Sequence, residues 1–273
     1  MTTAQKVIKY IAIAFAIFLI VSIISGILTA IFGISTIFGI KVNDNRLSEN
    51  LIGTTFENKD IKNLEIEVAY SNLIIKKDNE LKVETNNSQI ECKQINNKLY
   101  IKEESHNWFN RNNNIGDLII YIPDNIELDK AEIVTGAGKI NIEELTTDKL
   151  ELELGAGETQ INSLKVNNKA TIEGGAGKVS ILSSEINNLE LDMGVGETTI
   201  NSKLTGKTEI NAGIGNLQIK VNGNKEDYKL KAEKGIGTIK VEGKEISNGN
   251  ILGNGENSIE IDGGIGSIEV EFE

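Results

Sequence analysis

Gly136-Ala137-Gly138-Lys139-Ile140-Asn141-Ile142 is followed by Gly155-Ala156-Gly157-Glu158-Thr159-Gln160-Ile161, then by Gly175-Ala176-Gly177-Lys178-Val179-Ser180-Ile181 and Gly194-Val195-Gly196-Glu197-Thr198-Thr199-Ile200. The unit returns at Gly213-Ile214-Gly215, Gly235-Ile236-Gly237 and Gly264-Ile265-Gly266, the first glycines being 19, 20, 19, 19, 22 and 29 residues apart. A period this steady marks a repeat architecture. Six positions after the first glycine stand Ile142, Ile161, Ile181, Ile200, Ile219, Val241 and Val270, always aliphatic. That position must face a core.

Later in each unit comes a second alternating run, such as Leu150-Glu151-Leu152-Glu153-Leu154 or Leu189-Glu190-Leu191-Asp192-Met193. A period of two belongs to half-buried strands, so each repeat is expected to supply two strands and two corners. One such unit cannot bury its apolar face alone; stacked copies enclose a continuous aliphatic core. The sequence therefore predicts an all-β fold, a single-stranded parallel β-solenoid (β-helix) of about 19–20 residues per rung. The first and third glycines mark a corner that needs positive φ or leaves no room for a Cβ, with the small middle residue turned inward. Lys139, Glu158, Lys178 and Glu197 occupy one repeat position, so opposite charges face each other if rungs stack in register.

The two longest intervals contain Asn222-Gly223, Asn248-Gly249 and Asn254-Gly255, strong hairpin signals, and predict insertions in the C-terminal rungs. The terminal run Ser267-Ile268-Glu269-Val270-Glu271-Phe272-Glu273 reads as a charged strand that closes the open end. Upstream, Leu64-Glu65-Ile66-Glu67-Val68, Asn72-Leu73-Ile74-Ile75, Leu81-Lys82-Val83 and Asp117 to Pro123 also alternate. They predict irregular first rungs and a cap over 61–130, ahead of regular rungs over 131–273.

From Tyr10 to Ile40 no residue is charged. A spanning helix needs about 20 apolar residues, so 1–40 is expected to be a transmembrane α-helical anchor in the lipid bilayer, followed by a linker over 41–60. The run is too long for a signal-peptide core and ends without a small-x-small cleavage site. Lys6 and Lys9 precede it and Lys41 and Arg46 follow it, so the free α-amino group tips the balance, and the N-terminus is expected inside with the remaining chain outside the cytoplasm.

The 273 residues are 39% hydrophobic and 25% charged, ordinary for a folded chain, but they include 27 glycines against one proline and only 5% aromatics. The core must be built from Ile, Leu and Val. A net charge of −12, with Arg46 and Arg111 the only arginines, argues against nucleic acid as a partner. Cys92, within Gln89-Ile90-Glu91-Cys92, reads as a quiet core thiol.

No chemistry of cofactor or metal is expected. The dinucleotide pattern needs a third glycine where Asn141, Gln160, Ser180 and Thr199 stand, and calcium-binding repeats need an aspartate where Val179 and Ile268 stand. The carboxylates alternate with core residues as a solvated face does, so no catalytic residue is assigned. His106 alone makes no zinc site. Trp108 and Phe109, in the polar stretch Glu103 to Arg111, are candidates for a ligand-facing tip, with folding back over a solenoid end as the structural alternative.

The strand pair Val68-Ala69-Tyr70-Ser71-Asn72-Leu73-Ile74-Ile75, the strand Leu118-Ile119-Ile120-Tyr121-Ile122-Pro123 and the reiterated Gly-x-Gly-x-apolar-x-Ile units resemble the putative-adhesin family of bacterial envelope proteins, a β-strand-repeat domain of unknown function. The likeness covers about residues 60–273. It implies a single-chain β-solenoid, often behind a membrane anchor, associated with surface adhesion or envelope-stress regulation, and supplies no catalytic residue. The leading expectation is a non-enzymatic adhesion or scaffolding surface of the cell envelope whose partner is an envelope protein or glycan. The alternatives are an envelope-stress sensing component acting through a membrane partner and a polysaccharide-active enzyme.

Overall fold

The computed structural model describes residues 51–56, 60–104, 116–233 and 235–273. The expected membrane helix, most of its linker and the stretch with His106, Trp108 and Phe109 lie outside the described residues, among which no helix is long and apolar enough to cross a membrane.

The described chain is all β apart from one 3-10 turn, Lys225–Asp227. Its first strands are β1 (Ile52–Thr55), β2 (Asn63–Val68), β3 (Ser71–Asp78), β4 (Lys82–Thr85), β5 (Ile90–Ile95), β6 (Lys98–Glu103) and β7 (Gly116–Pro123). The repeats supply β8 (Leu128–Thr135), β9 (Ala137–Ile142), β10 (Leu145–Glu153), β11 (Ala156–Ile161), β12 (Leu164–Glu173), β13 (Ala176–Asn187), β14 (Leu189–Asp192), β15 (Val195–Thr205), β16 (Lys207–Asn211) and β17 (Ile214–Val221). The last are β18 (Tyr228–Glu233), β19 (Ile236–Val241), β20 (Lys244–Glu245), β21 (Asn250–Leu252), β22 (Asn257–Asp262) and β23 (Ile265–Phe272).

Two parallel stacks carry the fold. The strands before each glycine corner pair in the order β6, β2, β8, β10, β12, β14, β16, β22, β18. Those after it pair as β7, β3, β9, β11, β13, β15, β17, β23, β19. Successive repeats thus stack as rungs, a solenoid-like arrangement. The middle rungs have a third side, where Thr146, Lys165, Glu185 and Lys203 lie in register, so a repeat makes three segments there and not the two expected. The invariant aliphatics meet inside, from Ile142, Ile161, Ile181 and Ile200 at 0% exposure to Val241 at 3%. Several buried positions carry a hydroxyl, among them Thr147, Ser184, Ser202 and Thr208; Thr208 is 1% exposed and its Oγ1 has no partner. Thr208→Val keeps the shape and removes the orphan, so urea melts should show a gain of about 1 kcal/mol.

The glycine corner has a steric cause. A Cβ on Gly155 would lie 1.8 Å from the carbonyl oxygen of Gly136, and one on Gly175 1.7 Å from that of Gly155. Each corner is pressed against the backbone of the next, and Ala156 N–H donates to the Gly136 carbonyl at 2.7 Å. The third glycine adds positive φ, +142° at Gly196. The middle residue is not inward as expected; Ala137, Ala156, Ala176, Val195, Ile214 and Ile265 stay half-buried. Strand alternation explains this: Ile142, Ile140 and Gly138 share the inward side, so Ala137 takes the other.

The opposite corner went unread in the sequence. Asn188, at φ +53°, donates through Nδ2 to the Asn168 carbonyl at 2.8 Å and accepts the Lys207 N–H at 3.0 Å, while Asn187 donates to the Asn167 carbonyl at 3.0 Å. Asparagine tolerates the left-handed conformation and bridges adjacent rungs with its amide.

Neither end follows chain order. The last rung, β22–β23, does not close the solenoid; it lies between β16–β17 and β18–β19. The chain makes β18 and β19 first, turns at Glu242 (φ +52°) and Gly243 (φ +69°), and returns to fill the gap. The fit of β23 to β17 explains its place: Val221 pairs with Phe272, the Phe272 ring lies 5.4 Å from Tyr228, and Lys220 Nζ sits 2.7 Å from a Glu273 carboxylate oxygen. The distal end is covered by antiparallel β20 and β21, with Ile246 and Leu252 packed on the core. At the other end β6–β7 lies outside β2–β3, with β5 antiparallel on β6, β4 on β7 and β1 on β4. Antiparallel caps end a stack without offering a parallel template for further pairing.

Candidate functional surface

Outward residues form columns along the stack because every rung is in register. Before the corner, one column holds Lys130, Lys149 and Lys169, the next Glu132 and Glu151, and the third Glu153, Glu173 and Asp192. Stacked like charges repel, and the lysine column offsets this: Lys130 Nζ lies 2.6 Å from Glu151 and 3.0 Å from Glu132, and Lys169 2.7 Å from Glu190. The hydrogen bond to Glu151 holds the Lys130 ammonium above the usual lysine range. Beyond the corner, Lys139, Glu158, Lys178 and Glu197 stand in direct register, as their alternation implied. Beside them runs a neutral column of Asn141, Gln160, Ser180, Thr199 and Gln218. Exposed pairs of this kind are worth under about 1 kcal/mol each, so their effect is on register.

Clefts along the glycine corner are small. One of about 30 Å³ is lined by Ala137, Ala156, Ala176, Leu154 and Met193, and another of about 10 Å³ lies between Ile236, Ile265 and Leu217. They hold a water or two, against roughly 300–1,000 Å³ for a ligand pocket. Among the described residues no three His, Cys, Asp or Glu side chains gather as a metal site would require.

At the β2–β3 corner a side chain replaces backbone. In regular rungs the corner N–H groups donate to the carbonyl of the neighbouring rung; here Ala69 N–H and Tyr70 N–H donate to Glu103 Oε2 at 2.7 and 2.9 Å, and Asn87 Nδ2 donates to Oε1 at 3.0 Å. Glu103 is 8% exposed and ends β6, so it caps the column where the glycine motif has no further copy. Glu103→Leu removes the acceptor of two part-buried backbone donors and should cost about 1–3 kcal/mol in a urea melt, with Glu103→Gln intermediate. No local pattern marks this role, since Glu103 sits among other polar residues before the Trp108 stretch.

Cys92 is half-buried and packs on the core, and burial pushes its thiol up to about 11, so it stays protonated and unreactive at neutral pH. Tyr121 donates to Glu84 at 2.7 Å and lies under the ammonium groups of Lys76 and Lys82 at 4.9 and 5.5 Å. Burial pushes its phenol up to about 12. The candidate tip residues Trp108 and Phe109 are not placed by the described residues.

A family model for the Toastrack domain DUF4097, a domain of unknown function, matches residues 61–250. The chain belongs to the Toastrack DUF4097 family. The Toastrack match begins within a few residues of β2 and runs into β21. Among curated proteins none matches. Solved structures similar to this Toastrack chain include a putative cell adhesion protein from Clostridium sporogenes, at 21% identity over 83% of this chain and 100% of the other, with a TM-score of 0.37. A putative adhesin from Bacteroides fragilis is 18% identical over 82% and 98%, with a TM-score of 0.43. A putative lipid binding protein from Parabacteroides distasonis is 16% identical over 82% and 97%, also at 0.43. At TM-scores below 0.5 these likenesses say nothing of what this Toastrack domain binds.

Proposed function

We propose that this chain is a non-enzymatic Toastrack protein, anchored in the cell membrane by its first 40 or so residues with the β-domain outside the cytoplasm, that serves as an adhesion or scaffolding surface of the cell envelope. The observation that carries this reading is the form of the surface. Charged and neutral columns run in register over successive rungs, while the corner clefts reach only about 30 Å³. Such a surface suits a protein or glycan laid along it better than a small substrate held in a pocket.

Cells lacking the chain should lose surface attachment and keep normal envelope-stress reporter output. Unchanged attachment with altered reporter output would overturn the adhesive role in favour of a regulatory one. Turnover of an envelope glycan by the purified chain would overturn the non-enzymatic reading altogether.

A further inference from the structure

The middle residue of the glycine corner changes along the stack. In register it reads Ala137, Ala156, Ala176, Val195, Ile214, Ile265 and, at the distal end, Ile236. Because this position lies off the core, the last three rungs line up isoleucines there; Ile214 and Ile265 are half-buried and Ile236, at the distal end, is 64% exposed. The adjoining column changes at the same rung. Beside the alanines and valine stand Lys139, Glu158, Lys178 and Glu197, and beside the isoleucines Asn216, Ser267 and Thr238. Gain of apolar bulk thus coincides with loss of charge. On the other flank Asn211, Asp262 and Glu233 are exposed and in register; Glu233 is paired with Lys231 at 2.7 Å, and Asp262 leaves that side with a net negative charge.

We propose that this isoleucine corner is a lateral contact between two copies of the chain whose solenoid axes run in the same direction. The charges select the direction. A two-fold axis parallel to the stack sets ridge against ridge and places the Asp262–Glu233 flank of each copy opposite the neutral Asn216–Ser267–Thr238 flank of the other. A two-fold axis across the stack reverses one copy and sets acid against acid, which is unfavourable. Equal rung spacing lets the ridges interdigitate, and the contact is self-complementary, as a two-fold interface must be. Three isoleucines and their flanks fall short of the roughly 1,200 Å² that a stable soluble complex buries. The pairing is therefore weak in free solution and needs copies already held side by side, which the proposed anchoring in one membrane supplies. This inference rests on that anchoring.

The test uses the full chain carrying Cys92→Ser and Ile236→Cys, reconstituted in phosphatidylcholine vesicles and treated with a short bis-maleimide. Flotation is measured first. A chain that does not float with the vesicles overturns the anchor and with it pairing within one membrane. A chain that floats should give a cross-linked dimer, at least fivefold more than the same chain with Ser180→Cys as its only thiol. Adding Ile265→Ala should reduce the dimer by about the same factor. Equal cross-linking at both positions, none at Ile236→Cys, or cross-links only between separately prepared vesicles that are then mixed would each overturn the parallel contact while leaving the anchor intact.

Discussion

Gly196→Ala is expected to cost more than about 4 kcal/mol and to abolish cooperative unfolding of the β-domain, whereas Gly243→Ala should cost about 1–2 kcal/mol. Both glycines have positive φ, but the +69° of Gly243 lies in the left-handed region that other residues enter at modest cost, whereas the +142° of Gly196 is almost confined to glycine. Space separates them further. A Cβ at Gly196 would lie 1.7 Å from the Gly177 carbonyl oxygen, and that oxygen belongs to a backbone pinned by its own rung; a Cβ at Gly243 meets nothing within 4 Å. Relief at Gly196 would need neighbouring rungs to separate, breaking the corner bond from the Val195 N–H to the Gly175 carbonyl at 2.9 Å. Urea denaturation of the two variants checks the contrast. Equal costs would mean that the corner glycines serve turn geometry and not close stacking.

Deletion of residues 256–273 should unfold more than the deleted rung. If β23 were an end strand, its removal would expose only the edge of β17 and leave the remainder protected. Because β22–β23 lies between β16–β17 and β18–β19, its loss removes the only parallel partners that β18 and β19 have among the described residues and takes Ile259, Ile261 and Val270, 0–1% exposed, out of the core. A segment of β18 to β21 left with only its own antiparallel pairs is too small to hold its own core. Amide hydrogen exchange should therefore show full loss of protection across 228–252 together with the edge of β17, while β8 to β15 keep theirs. Retained protection in β18 and β19 would sink this account of the distal rungs.

Much of this fold was legible in the residues. The Gly-x-Gly spacing gave the rung length, the aliphatic six positions on gave the buried column, and the Lys/Glu alternation gave the register, because each is a local pattern repeated at a fixed period. The Asn188 corner and the Glu103 cap carried no such signal; an asparagine in a polar turn and a glutamate in a polar run look like ordinary surface until the rung beside them is in place. The charged and neutral columns depend on the same register, and the candidate tip at Trp108 and Phe109 remains a reading of the sequence.

By itself, then, the sequence determined that the chain folds as stacked β-rungs with glycine at one corner, since stacking identical aliphatic strands is the way so many short amphipathic segments bury their apolar side. Only the tertiary structure decided the order of the rungs. Any rung's aliphatic face fits against any other, so the repeat pattern is silent on neighbours, and the placing of β22–β23 inside β18–β19 depends on longer-range fits: Val221 against Phe272, Phe272 against Tyr228, and Lys220 against Glu273. The same holds for the middle residue of the corner. Its small size suggested an inward position, but the parity of the strand entering the core turned it outward, and with it the three isoleucines of the distal ridge.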